Sequence, residues 1–431
     1  MAVRHKHRNI LIGAPESTPA VAPANAAAWA AIQPLVHTKI DTSGIKGTFI
    51  DDPRLEEYGQ AVNTSLVLEG ARSVDFKFST DLYGLGDSPA DGVQAIATPM
   101  TELVRKSLGG GLLSYSTTLT GGSSIAPIVD DVTGIVAGMI FWAQDTTAPT
   151  PGNTGRVWGA QVKSVDADTS VVQLCEALPF KPATGDPVYG GFTGYIVENT
   201  VESAIAAGHT MSWLVQLHPT DPNFVWQVMG AMHSFSISGL ERNQAPQLDF
   251  TVAGANYKYS DADGLANVTP EDPPFGPSPL AVHSLKCSIA PSAGTASGYT
   301  SVSSFAAELG VMSDPVDTIT EQTHLMQGRH DYTVKFDNSG VTVVIPEMTS
   351  AWYAAQKAGT TFRITLTQGS KGPGKVWTLI YPKCQIVETP AKTDVGEAMG
   401  VQIKFRAMIN DTVPESTNED LRISRFVFGF A

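Results

Sequence analysis

Charged side chains are scarce: Asp, Glu, Lys and Arg make up 16% of the 431 residues, where about 25% is common. A soluble monomer keeps more charge than this on its surface, so the shortage points to a surface partly covered by neighbours. Basic residues are the scarcest, with 28 Lys and Arg against 42 Asp and Glu and a formal net charge of −14. That makes the chain a poor candidate for gripping phosphate backbones, because such affinity comes from Lys and Arg displacing counterions. A surface past which DNA slides without sticking remains compatible. The acid excess is uneven: residues 1–279 hold 15 basic and 28 acidic side chains, and residues 280–431 hold 13 and 14. Only three cysteines occur, Cys175, Cys287 and Cys384. They lie far apart and cannot all pair, so they are expected as buried small hydrophobes rather than a disulfide framework. No apolar run reaches the roughly 18 residues of a membrane-spanning helix. The apolar patch Ile10-Leu11-Ile12 near the start is too short for a signal peptide.

Catalytic motifs are lacking too. No GxSxG, HExxH or Cys–His constellation occurs. Gly369-Ser370-Lys371-Gly372-Pro373-Gly374-Lys375 satisfies the phosphate-loop spacing, but Val376 stands where Ser or Thr must bind magnesium. A strand rather than a helix N-terminus is predicted to follow, so a hairpin turn is the better reading. His5 and His7 flank Lys6 in a basic patch with no acid or Cys close by, which favours a solvated or anion-contacting arm. His209, His218 and His233 have no paired acid or nucleophile at readable spacing and are expected as core or surface histidines. Asp51-Asp52 with Glu56-Glu57, and Asp130-Asp131, lack the alternating spacing of a calcium loop and are expected to be solvated. Trp142, Trp158, Trp213, Trp226, Trp352 and Trp377 fall within apolar strand or helix faces, as core residues do. No catalytic, cofactor-binding or metal-ligating residue is assigned, and the chain is not expected to be an enzyme.

Glycine and proline are plentiful, at 40 and 28, and the apolar runs are short and β-branched, which predicts a mainly β protein. The series of elements occurs twice. In the first copy, residues 73–80 alternate as a strand, Thr98-Pro99 opens a short helix with the face Met100, Leu103, Val104 and Leu108, and Gly109-Gly110-Gly111 stops it. Strands at 210–217, 226–237 and 248–257 follow. In the second copy, residues 330–336 alternate, Ile345-Pro346-Glu347 opens a helix ending at Gly359, and strands follow at 361–367, 376–388 and 400–409. The helix face is Met348, Ala351, Trp352 and Ala355. The final strand pairs both start at a Trp, with 22 residues from Trp226 to Leu248 and 24 from Trp377 to Val401. The expected organisation is therefore an extended Ala/Pro-rich N-terminal arm (1–37) held by another chain and a first domain built from 38–110 and 206–260. A small β-barrel (111–205) is inserted into it, a Pro-rich linker covers 261–279, and a second domain covers 280–431.

The end of each unit is a long strand, a turn, and a strand finishing in a small-residue step. These are Gly230-Ala231-Met232-His233-Ser234-Phe235-Ser236-Ile237 with Asp249-Phe250-Thr251-Val252-Ala253-Gly254-Ala255, and Cys384-Gln385-Ile386-Val387 with Gln402-Ile403-Lys404-Phe405-Arg406-Ala407. In this the unit resembles the tail tube (major tail) proteins of long-tailed bacteriophages, a fold shared with the tube protein of type VI secretion. The resemblance implies a β-sandwich or barrel with one short flanking helix, so that the chain has two tandem tail-tube-like domains plus the inserted barrel. It implies a structural virion protein, assembled in the host bacterial cytoplasm, whose six-domain rings stack into a hollow tube. Two units per chain then imply a pseudo-hexameric homotrimer. The implied partners are further copies of the chain, other tail proteins (tape measure, terminator, baseplate), and genomic DNA passing an acidic lumen without specific binding. No cofactor and no membrane insertion are implied. The alternative is a virion surface or baseplate module whose inserted barrel recognises a host glycan or receptor.

Overall fold

The computed structural model describes residues 10–16, 39–45, 74–82, 99–146, 156–197, 209–216, 225–254, 285–294, 301–308, 340–369, 376–413 and 416–431, less 115, 241–243, 347–348, 397, and short pieces at 23, 28–29, 32, 35, 49–51, 67–69, 256–259, 312–316 and 331–335. In chain order the first copy contains β1 (Ile10–Pro15), β2 (Lys39–Asp41), the paired β3 (Phe49–Asp51) and β4 (Val67–Glu69), β5 (Val74–Asp81) and helix α1 (Pro99–Leu108). β6 (Gly109–Leu113) leads into the barrel strands β7 (Thr117–Gly122), β8 (Pro127–Val129), β9 (Ile140–Gln144), β10 (Val157–Asp166), β11 (Val171–Leu174) and β12 (Pro187–Tyr189), and β13 (Phe192–Ile196) leads out. The copy closes with β14 (Met211–Gln216), β15 (Val225–Ser238), β16 (Gln247–Gly254) and β17 (Asn256–Tyr259). The second copy contains β18 (Leu285–Pro291), β19 (Ser304–Glu308), the paired β20 (Met312–Val316) and β21 (Asp331–Lys335), β22 (Gly340–Ile345) and helix α2 (Ala351–Ala358). It continues with β23 (Thr361–Gly369), β24 (Val376–Ile386), β25 (Ala391–Val395) and β26 (Ala398–Ala407), and the chain ends with α3 (Glu419–Ile423) and β27 (Val427–Phe430). The protein is mainly β, with one large sheet assembly and one small closed barrel.

The strand ladders repeat. Antiparallel neighbours run β1–β14–β15–β16–β5–β2 in the first copy and β18–β23–β24–β26–β22–β19 in the second. Both orders arise from the same chain order, with a two-stranded pair between the second and third strands each time. A bulge repeats as well. Trp213 opposes Val228 and Met211 opposes Ala231 in the first copy, as Ile364 opposes Tyr381 and Phe362 opposes Cys384 in the second. One extra residue on the long strand turns it, so that a single strand serves two packed layers. In β15 the turn falls at Gly230, whose φ of 62° is left-handed.

Alternation explains the core. Phe76 and Phe78 of β5, and Leu248, Phe250 and Val252 of β16, face inward, as do Val341 and Val343 of β22 and Ile403 and Phe405 of β26. Most of their neighbours in sequence, among them Asp75, Lys77, Thr251, Thr342, Lys404 and Arg406, are polar and face out, Ala253 and Val344 being apolar. Strands buried on both faces read instead as continuous apolar runs. In β24, Trp377, Leu379 and Tyr381 join the main core while Val376 and Ile380 join a second cluster on the opposite face. In β9, Phe141 and Ala143 fill the barrel while Ile140 and Trp142 point away from it.

Several sequence expectations are corrected. Residues 10–15 of the expected arm form β1, paired with β14 of the same chain from Ile10↔Gln216 to Pro15↔Met211. Trp29 is fully buried against Ile12, Ala14, Leu214 and Val225, so these parts of the arm are held by their own chain. The strand at 331–335 pairs with β20, and the second-copy counterpart of β5 is β22. Both segments alternate with period two, which identifies a strand but not its partner. The second helix starts at Ala351 rather than at Pro346 and ends, as expected, at Gly359 in a left-handed cap. The three glycines after α1 end the helix but also begin β6, paired with β13. The 261–279 linker, His5, His7, His218 and the tip of the 369–375 loop lie outside the described residues. Gly369 opposes Val376 across that loop, as a hairpin requires.

Gly230→Ala forces a Cβ into the left-handed region and is expected to cost about 1–2 kcal/mol. Gly294→Ala, which lies outside that region and has ordinary clearance, is the control and is expected to be neutral. Urea unfolding of the two variants distinguishes them.

Candidate assembly interface

Past the bulge, β14 no longer covers β15. The exposed edge of β15 is taken by a strand of the other copy: Ser236 opposes Glu308 and Ile237 opposes Ala307 of β19. Because β19 is the outer strand of the second copy's β26–β22–β19 ladder, the two ladders become one continuous sheet. Its backbone edges are satisfied by each other, which removes two open edges at once. The core runs straight through the joint. Phe235 lies 5.3 Å from Phe250 within its own copy and 6.0 Å from Phe428 of β27, which in turn lies 6.2 Å from Trp377.

A second connection runs on the opposite layer. β27 pairs with β24 on one side and with β13 on the other, and β13 pairs with β6. The two strands that carry the barrel out of the first copy are thus woven into the second. The barrel itself closes in the order β7–β8–β11–β10–β9–β12 around Leu119, Phe141, Trp158, Val162, Val172 and Leu174. It packs on the β23–β24 face. Trp142 donates its indole N–H to Thr378 Oγ1 at 3.0 Å, and a Cβ on Gly159 would collide with that Thr378 side chain. Close approach of β10 to β24 therefore requires glycine there.

Polar groups are buried at both bulges. In the first copy the Glu16 carboxylate, buried just after β1, accepts from the Gly230 N–H at 2.9 Å and from the Ser212 hydroxyl. In the second copy Ser292 stands in the place of Glu16, and Arg363 in that of Ser212. Its guanidinium donates to the carbonyls of Cys175 at 2.6 Å and Ser292 at 3.2 Å, tying the barrel to β18 and β23. Glu176 is fully buried beside it. Desolvation pushes the Glu176 carboxyl up to about 7, against the opposing pull of the Thr365 hydroxyl and the Arg363 charge. Near the first bulge, His233 Nε2 accepts from Trp213 Nε1 at 2.7 Å. Burial, with a smaller contribution from the nearby Lys106 charge, lowers His233 to about 3 and His209 to about 4.

None of these groups forms a catalytic arrangement. His209 and His233 are core histidines, Asp131 closes a surface turn onto the Thr133 N–H at 2.8 Å, and the three cysteines are free and buried. Among the described residues no group of three or more His, Cys, Asp and Glu could hold a metal ion, and no helix is long and apolar enough to cross a membrane. Trp142, Trp158, Trp213 and Trp377 are buried, and Trp226 and Trp352 pack against the core half-buried. Of the residues that matter most here, Ser236–Ile237 lie in the strand-end motif singled out in the sequence, while Ala307–Glu308, Glu176 and Arg363 went unmarked. Only Arg363, a lone charge in the run TFRITLT, departs from its surroundings. No protein-family model matches the chain, and no curated protein matches it.

Thr378→Val is expected to leave the Trp142 N–H unpaired and cost about 1–3 kcal/mol in thermal or urea unfolding. The pH profile has two opposing parts. His209 and His233 are depressed on folding, so their contribution is full above about 6.5 and is lost as pH falls toward their folded values. Glu176 is raised on folding, so its contribution is full below about 4.5 and is lost as pH rises toward about 7. Glu176 is faced by Arg363, Cys175, Cys287 and Thr365, and Lys163 lies near Cys175. Glu176→Gln keeps the shape and removes the titration, so it is expected to raise the urea midpoint more at pH 8 than at pH 5.

Proposed function

We propose that this chain is a structural tube protein of a bacteriophage tail, three copies of which close a pseudo-hexameric ring that stacks into a hollow tube. The observation that carries the reading is the edge-to-edge joint between β15 and β19. Two units of one topology already share a continuous sheet inside one chain, which is one joint of such a ring. A heterologous joint of this kind repeats until it closes or runs on as a filament.

The polar face of the continuous sheet is the candidate lumen wall. The first copy contributes Lys39, Asp41, Asp75, Lys77, Asp81 and Asp249, and the second contributes Lys404 and Arg406. Lys404 is itself paired with Glu388 at 3.0 Å. Signs nearly cancel, so the acid excess of the sequence does not lie on this face among the described residues. A wall of small polar side chains with mixed charge offers a phosphate backbone little net attraction, consistent with passage rather than binding. The chemistry needed is assembly, and no residue of the site is asked to react.

Negative-stain electron microscopy across a range of protein and salt concentration is expected to show rings and stacked rings with threefold class averages. Discrete particles that never form rings would refute the tube reading and direct attention to the barrel as a receptor- or glycan-binding module, testable on a glycan array.

A further inference from the structure

From the internal repeat we infer which two edges join one chain to the next: β25 of one molecule pairs antiparallel with segment 39–43 of a second copy. This rests on the tube reading and goes beyond it by naming the contact. The shared ladders define the correspondence. Leu248 and Val401 occupy the same place, inward-facing and opposite β5 and β22 respectively. Ser236 opposes Asp249, and the residue opposite the corresponding Gln402 is Ala391. β25 thus stands in the second copy where the joining end of β15 stands in the first.

The other side follows from β5 and β22. Glu308 opposes Gly340. The first-copy counterpart of Gly340 is Asp75, which falls level with Ser43 two residues past the last β2–β5 pair, where β2 gives way to a turn closed by the Ile45 N–H onto Thr42 O. The Asp75 N–H donates to Gly44 O at 3.3 Å, so the chain stays beside β5 to that point. Repeating the internal joint between molecules places Ala391 opposite Ser43, Lys392 opposite Thr42, Thr393 opposite Asp41, Asp394 opposite Ile40 and Val395 opposite Lys39. No like charges meet directly in this register, which an antiparallel pair requires.

Two further observations mark these edges as unfinished. Among the described residues β2 pairs only with β5, and β25 only with β26. Val387, just before β25, and Met399, opposite Asp394, are two of the four large apolar side chains exposed on the described surface, at 49% and 54%. Both lie on the ladder that ends in β25. The occupant is a second copy of this chain because the fold contains the same joint once already, with the same strand order on each side.

The test uses the full chain with single Thr42→Cys and Lys392→Cys variants, the native cysteines being buried. Mild oxidation of the mixed variants is expected to give a disulfide-linked dimer on non-reducing gels, while neither variant alone does. The double variant is expected to give a covalent trimer. Independently, Asp394→Pro places a residue that edge strands tolerate where the joint needs a free backbone edge. It is expected to leave circular dichroism and the urea midpoint unchanged and to abolish rings. Rings in both wild type and Asp394→Pro, without cross-linking, would overturn this edge assignment and leave the tube reading intact. Cross-linked ladders running past the trimer without rings would support the edge and overturn the closed ring. Neither rings nor cross-links would overturn both.

Discussion

The extra residue at each bulge is the constraint on which the architecture depends. A strand fully covered by one neighbour along its length has no edge left to offer. By turning β15 away from β14 after Met211↔Ala231, the bulge frees the edge that β19 takes at Ser236 and Ile237. The same displacement recurs in β23–β24, beyond which β25 pairs with β26 alone among the described residues. Gly230 supplies the backbone conformation, and the Glu16 carboxylate holds its N–H. A buried carboxylate is costly unless hydrogen-bonded, so β1, which carries Glu16 in, is part of the device that shapes the joint.

The inserted barrel is a brace rather than an appendage. A loop insertion ordinarily sits at an exposed tip and touches only its host. Here the stems β6 and β13 extend the second copy's layer through β27, and Trp142, Gly159, Glu176 and the carbonyl of Cys175 meet β23 and β24. Two units joined by a short two-residue ladder alone could hinge about it. The barrel contact and the shared aromatic core around Phe235 and Phe428 oppose that motion. The internal joint is therefore the stiff one, and a joint between molecules would lack this brace.

How much was legible varies with the physics. Alternation located β5, β16 and β26 because each has one wet face, whereas β22 was passed over, and the αL glycine at 359 ended the second helix as its chemistry demands. The duplication was visible as an order of elements, although β1 with β18 and β2 with β19 escaped notice. β2 is three residues long, too short for a period, and β1 sits in a stretch whose Ala and Pro content suggested no fold. The equation of 331–335 with β5 failed because pairing is a long-range choice among strands of equal period.

The amino-acid sequence by itself determined the mainly β class, the barrel within 111–205, the buried cysteines, and the poverty of charge that points to a covered surface. These are local properties of side-chain volume, polarity and backbone preference. The tertiary structure alone decided that the barrel lies on the second copy and that Glu16 and Arg363 serve equivalent bulges. It also decided that Ser236–Ile237 and Ala307–Glu308 join the two units. Backbone edges carry those contacts, and a backbone edge has the same chemistry whatever residues lie along it, so only the spatial arrangement of strands shows which edges meet.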